Sequence, residues 1–248
     1  MAAAVVPRDV REFLNGYPDS TDDSSLNANL EFYLNMRRCR PDRLLIDELH
    51  EQWKEDYQKL EYSHGYIQWL FPIKEYGMNF ASQPLQEHEL QTMKADPAVV
   101  ERVKRSYKIM LGFYGMELVS EETGEVRRAA KNWQERFQNL IGAPHNNLRI
   151  SRILKCLSEF SLERWNAGFL LFVLSEQSEH GHLSTRVLID SMDRWWANCV
   201  RDEHERKSIN MAIKKVRERQ GYVFSGEVYL RLLQKRKETG KLPELEGD

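Results

Sequence analysis

Apolar residues recur along most of the chain at the three-to-four-residue spacing of a helix that buries one side. Ile46, Leu49, Trp53, Tyr57 and Leu60 fall 3, 4, 4 and 3 positions apart and predict one continuous stripe. Val100, Val103, Tyr107, Met110 and Tyr114 repeat at 3, 4, 3 and 4. They follow Asp96-Pro97, a cap and then a residue with no amide to waste, and precede Gly115, suited to a left-handed stop. Val126, Ala130, Trp133, Phe137 and Leu140 line a further helix closed by Gly142. Ile150, Ile153, Leu154, Leu157 and Phe160 line the next, with Asn147 as its cap. Ser161 and Ser184 read as caps of two more, one carrying Leu170, Leu171 and Leu174, the other Leu188, Ser191, Trp195 and Cys199. Ile209, Ile213 and Val216 mark another. "SEETGEV" at 120–126 has turn chemistry, and only "YVFSG" at 222–226 has any strand character. The pattern predicts an all-α fold: a single compact multi-helix globular domain with no substantial sheet and no repeat of fixed period.

The pattern gives out at the ends. Residues 1–28, with "PDSTDDSSLNAN" beginning at 18, are expected to form a polar, largely extended N-terminal arm. The helical domain is expected over 29–238, and 239–248 as a short C-terminal tail.

Composition narrows the function. Apolar residues make up 41% and charged residues 30%, and the net charge of −2 gives no general attraction for nucleic acid or an anionic membrane. The longest apolar run, "AGFLLFVL" at 167–174, is well short of the roughly 20 residues of a membrane helix. "MAAAVVPRDV" lacks the layout of a secretory signal, so an intracellular chain is expected. Cys39, Cys156 and Cys199 are far apart and odd in number, which reads as reduced thiols. No nucleophile elbow, phosphate loop or zinc-protease motif appears, so no enzyme activity and no cofactor is assigned. His180 and His182 beside Glu179 form a weak candidate metal pair, more simply an exposed loop, and no metal is assigned. The basic residues of "ERKSINMAIKKVRER" are interleaved with acids and read as a solvated helix face rather than a nucleic-acid stripe.

Two stretches could bind something. "YSHGYIQWLFPIKEYG" at 62–77 crowds Tyr66, Ile67, Trp69, Leu70 and Phe71 ahead of Pro72, which forces the helix to stop near Phe71, with Ser63 as the cap of its turn. It is either a buried core corner or an aromatic grip with Tyr66 or Trp69 partly exposed. "HNNLRISR" at 145–152 places His145, Asn146 and Asn147 at a helix entrance, with Arg149 and Arg152 one turn apart. That set suits a carboxylate or phosphate, or is simply a capped entrance whose arginines pair with acids.

Four segments, "NLEFYLN" at 29–35, "HGYIQWLFPIKEYGMN" at 64–79, "MLGFYGMEL" at 110–118 and "RFQNLIGAPHNNLRISRILKCL" at 136–157, resemble the conserved region of the opioid growth factor receptor family. The resemblance extends from about Arg8 to "YVFSG". It implies a non-catalytic receptor, unrelated to the seven-helix opioid receptors, that binds the enkephalin pentapeptide and restrains cell growth. It also implies a nuclear or perinuclear location with peripheral association at the nuclear membrane; the cytoplasm is the alternative, since "QKRKETGK" is only a short basic cluster. The peptide-binding residues expected from chemistry are His64, Tyr66, Trp69 and Phe71 together with His145, Asn146, Arg149 and Arg152. Two other readings stand beside this one: a general protein-interaction scaffold without a peptide ligand, and an enzyme using His64, His145 and Arg149 on a polar small substrate.

Overall fold

A computed structural model describes residues 6–244. Among them are thirteen α-helices and one two-stranded sheet, so the all-α expectation holds. Helix α1 (Arg8–Leu14) is the first helix among the described residues and buries Val10 and Phe13. This differs from the extended arm expected over 1–28. One apolar pair three residues apart, Val10 and Phe13, is too short a pattern to register, but Phe13 is buried with the Arg201 guanidinium 4.5 Å and the Lys155 ammonium 5.9 Å from its ring. The polar residues beyond α1 do stay exposed, yet they are tied down: Asp22 bonds His88 at 2.9 Å, and the Asp23 amide donates to Gln86 at 2.8 Å.

Backbone contacts divide the chain into two compact units. The smaller, Tyr17–Tyr114, contains α2 (Ala28–Tyr33), α3 (Ile46–Trp53), α4 (Tyr57–Tyr62), α5 (Tyr66–Leu70), α6 (Glu87–Ala95) and α7 (Pro97–Phe113). Helix α7 follows the sequence reading: Asp96 Oδ1 accepts from the Ala98 amide at 2.8 Å, and Gly115 adopts φ +80° just past its end. The single stripe expected from Ile46 to Leu60 is instead α3 and α4. Asp56 interrupts it by accepting the Lys59 amide at 2.9 Å, which starts a new helix without breaking the apolar spacing.

The larger unit, Met1–Gly16 with Gly115–Asp248, adds strands β1 (Met116–Leu118) and β2 (Val126–Arg128). The strands pair antiparallel, with Met116 opposite Arg128 and Leu118 opposite Val126. Helices α8 (Trp133–Gly142), α9 (His145–Glu159), α10 (Glu163–Glu179), α11 (Arg186–Arg194), α12 (Glu203–Glu218) and α13 (Gly226–Thr239) follow, with a single 3-10 turn at Trp196–Asn198. Val126 was expected in α8, but Asn132 takes φ +59°, which closes off a helix extending upstream. The hairpin stands where only a turn was expected, and 222–225 forms no strand. Tyr229 of α13 completes the open edge of β2: its hydroxyl accepts from the Val126 amide at 2.7 Å and donates to the Val126 carbonyl at 3.1 Å.

Helix α10 is buried on all sides and packs against α9, α12, α13 and β2. The 120–124 turn also comes close to it: a Cβ at Gly168 would fall 1.7 Å from the Gly124 carbonyl oxygen. Gly124 holds φ +76°, so both glycines are required for this approach. Three expected caps are corrected. Ser161 takes φ +59° ahead of α10, whose N-cap is Leu162. Thr185, not Ser184, caps α11 through the Leu188 amide. Asn147 lies within the first turn of α9. The tail also packs in part: Leu242 is buried and its amide donates to Glu205 at 3.0 Å, while 245–248 lie outside the described residues.

Candidate functional site

In the smaller unit the aromatic corner is closed. Tyr66, Trp69 and Phe71 are buried, and each polar tip is spent on backbone: the Tyr66 hydroxyl donates to the Leu60 carbonyl at 3.0 Å, and the Trp69 indole to the Arg40 carbonyl at 3.0 Å. Trp69 lies 5.4 Å from Phe32, and Tyr66 5.4 Å edge-on to Trp53. The cap expected at Ser63 is absent, because Ser63 ends α4 and Gly65 precedes α5. A side chain at Gly65 would press within 2.5 Å of the Pro41 ring, which keeps this position small. His64 remains exposed beside the corner.

In the larger unit, α9 presents its entrance differently from the sequence expectation. Asn146 and Arg149 turn inward and are buried, with the Arg149 guanidinium donating to Asn146 Oδ1 at 3.1 Å. His145 and Arg152 are half-buried. The eight anticipated residues therefore fall into two sets of four, one in each unit.

The next residues along α9 border open space. Asn147, Leu148 and Ser151 form one wall of a groove of about 530 Å³, and Val187, Arg194 and Trp195 of α11 and its C-terminal end line the other. The local sequence explains why the groove stays open. Leu188 and Met192 are the buried face of α11, which leaves Arg186, Val187, Asp190 and Arg194 on its outer face. Leu148 is 73% exposed in the same way on α9. Arg194 stacks 4.7 Å over the half-buried Trp195 ring and reaches Asp190 at 3.4 Å. Asn147 is fixed through its carbonyl, which accepts from the Trp196 indole at 3.0 Å and Ser151 Oγ at 3.1 Å. Its side-chain Oδ1 is buried without a hydrogen-bond partner.

Chemically the groove offers an aromatic face, aliphatic patches, two guanidiniums and one carboxylate. Sequence reading missed Leu148, Val187, Arg194 and the open face of Trp195, since Trp195 continues the spacing of buried positions. Elsewhere, burial pushes the Cys39 and Cys156 thiols up from their ordinary value and keeps them protonated and unreactive. His182, one of the candidate metal pair, bonds Glu176 at 2.9 Å and packs 5.3 Å from Trp133. Among the described residues no group of three or more histidine, cysteine or acidic side chains is arranged to hold a metal ion. Nor is any described helix long and apolar enough to cross a membrane.

Comparison with known proteins gives the family of the chain. The family described as "Opioid growth factor receptor (OGFr) conserved region" matches residues 22–230. The mouse opioid growth factor receptor is 38% identical over 227 residues, 90% of this chain and 35% of its own length. Mouse opioid growth factor receptor-like protein 1 is 38% identical over 82% of this chain and 43% of its own, and the Xenopus tropicalis relative of that name is 43% identical over 68% and 33%. The chain thus spans about a third to two fifths of the length of these relatives. No solved structure matches it. With the family's conserved region present over most of its length, the chain belongs to the opioid growth factor receptor family.

Proposed function

We propose that this chain is a non-catalytic, receptor-type module that binds an enkephalin-type peptide along the α9–α11 groove of its larger unit, and through it takes part in restraining cell growth at the nucleus or its periphery. The observation that carries this reading is the groove's mixture of an open indole with opposite charges on one helix turn: Trp195 and Arg194 beside Asp190. A Tyr-Gly-Gly-Phe-Met peptide requires a carboxylate for its amine, a cation for its terminal carboxylate and apolar faces for its side chains. Asp190, Arg186, Trp195, Leu148 and Val187 supply groups of these kinds. Asn146 and Arg149 serve from behind by fixing the α9 wall, and His145 and Arg152 flank it. The names of the relatives support a receptor role.

The scaffold reading has one observation in its favour, the closed interior around Tyr66, Trp69 and Phe71, which leaves no aromatic cleft at that corner. Calorimetric titration with the pentapeptide and a scrambled control separates the two. Specific binding that weakens at least about tenfold in Trp195→Ala, in a variant whose helical signal and melting are unchanged, is the expected result. Equal affinity for the scrambled peptide, or for the variant, removes the proposal and leaves the scaffold.

A further inference from the structure

The smaller unit carries an apolar surface that neither its core nor the proposed groove uses. After the buried corner the chain runs through "EYGMNFA", and Tyr76, Met78 and Phe80 are 86%, 89% and 95% exposed. These side chains point into water from a braced backbone. Gln68, itself buried, accepts the Asn79 amide at 2.7 Å and donates to the Asn79 carbonyl at 3.2 Å and to Ser82 Oγ at 2.9 Å. Asn79 Nδ2 in turn donates to the Arg40 carbonyl at 2.7 Å and the Gly65 carbonyl at 3.0 Å. Gly77 is needed for this, since a Cβ there would fall 2.3 Å from the Gln68 amide carbon. Large apolar side chains held outward by a tied loop form a contact surface prepared in advance rather than a frayed end.

The same brace sets the loop against a basic recess. Asn79 and Ala81 share a cavity of about 920 Å³ with Arg37, Arg38, Arg40 and Arg43. Arg37 is committed to Glu31 at 2.6 Å, and Arg38 to both carboxylate oxygens of Glu48. Asp42, the acid within this basic run, faces Lys59 at 4.0 Å. Arg40 and Arg43 are exposed and make no ion pair among the described residues.

The geometry points to a docking site for a short acidic, hydrophobic segment of a partner protein, whose carboxylates enter the recess toward Arg40 and Arg43 and whose apolar side chains lie against Met78 and Phe80. Charge chooses this occupant. An anionic membrane surface takes clusters of about 4–8 free cations and a nucleic acid about 6–10 phosphate contacts. Two unpaired guanidiniums in a concavity are too few for either and suffice to orient a peptide.

The test uses the full chain and a labelled peptide of sequence Glu-Asp-Leu-Phe-Glu-Glu-Leu, read by fluorescence anisotropy. Its Gln/Asn counterpart, phosphatidylserine vesicles and poly(U) serve as comparison probes. The acidic peptide is expected to bind, to weaken with added salt, and to lose at least about tenfold affinity in Arg40→Gln/Arg43→Gln and in Met78→Ser/Phe80→Ser. All four side chains are exposed, so unchanged melting curves show that the variants fold. Binding of the neutral peptide as tightly, binding of only vesicles or only RNA, or unchanged affinity in both double variants overturns the proposal. Trp195→Ala is expected to leave this binding intact, so failure here and failure of the enkephalin groove are told apart.

Discussion

The two units bury polar chemistry in opposite ways. In the smaller, side chains inside the core are mostly neutral and spend their hydrogen bonds on backbone carbonyls: Tyr33 on Leu70, Tyr66 on Leu60 and Trp69 on Arg40. Its main buried acid, Glu89, acts as a cap for α2 and α6, accepting from the Asn29, Leu30 and Gln86 amides. In the larger unit, buried acids are clamped by arginine instead. Glu176 is held by Arg128 at 2.8 and 2.9 Å, Glu159 by Arg201 at 2.7 and 3.0 Å, and Glu205 by Arg236 at 2.9 and 3.0 Å. Neutral hydrogen bonds contribute roughly 1 kcal/mol apiece and cost about 1–3 kcal/mol when one buried partner is left unpaired, whereas a buried ion pair is close to neutral while intact and costs about 3–5 kcal/mol when half of it is removed. The larger unit is therefore the more exacting of the two, and substitution separates them sharply.

The largest expected effect concerns backbone approach within the larger unit. Alanine is ordinarily better than glycine inside a helix by about 1 kcal/mol. At Gly168 the sign reverses, because the new methyl collides with the Gly124 carbonyl. Gly168→Ala is expected to cost more than about 4 kcal/mol, read as a lowered denaturant midpoint or failure to fold. Equal or greater stability in this variant would mean that the 120–124 turn moves aside freely, and the larger unit would lose its claim to be exacting.

Next comes the arginine clamp. Arg128→Ala leaves Glu176 buried with His182 as its remaining charged-capable neighbour, and a loss of about 3–5 kcal/mol is expected. Arg128→Met combined with Glu176→Leu should recover most of it, since the unpaired charge goes with the pair. Arg8→Ala at the exposed Arg8–Glu12 pair should change stability by no more than about 0.5 kcal/mol. Equal costs at Arg128 and Arg8 in urea titrations would erase the distinction between clamped and surface pairs.

Sequence legibility follows the same division of causes. Helix α7 was readable because spacing, cap and stop agree over a long segment. The break between α3 and α4 was not, because Asp56 restarts the helix in register with the apolar stripe. The hairpin escaped because three-residue strands show no alternation, and its edge is completed by Tyr229, a residue 103 positions away from Val126. The crowded 66–71 segment was equally compatible with a core and a grip, and only burial distinguishes them. The groove was hidden for a related reason. Trp195 keeps core spacing, and an exposed Leu148 or Val187 looks the same in sequence as a buried one.

The smallest of the expected losses within a core, at most about 1.4 kcal/mol per pH unit, tests the neutral character of the smaller unit directly. His50 is buried, and its Nε2 lies 2.8 Å from Ser106 Oγ. That hydroxyl donates its proton to the Arg102 carbonyl, so Nε2–H is the donor to Ser106 and Nδ1 carries the lone pair. Nδ1 is buried without a hydrogen-bond partner, so a second proton would have no acceptor. Burial first, and then the Arg105 charge, depress the imidazole from 6.5 to about 3, against a smaller opposing pull from Asp47. With the folded value below the unfolded one, the native state is favoured in full above pH 6.5. That advantage is lost as the unfolded chain takes up the proton, progressively down to about pH 3. Between neutral pH and about pH 4.5 this group alone should remove about 2–3 kcal/mol, visible as a falling melting temperature. His50→Leu should flatten that slope while sacrificing the Ser106 bond at every pH. An unchanged slope in the variant would show that His50 already binds a proton in the folded state, and the smaller unit would then hold a buried charge like those of its neighbour in sequence.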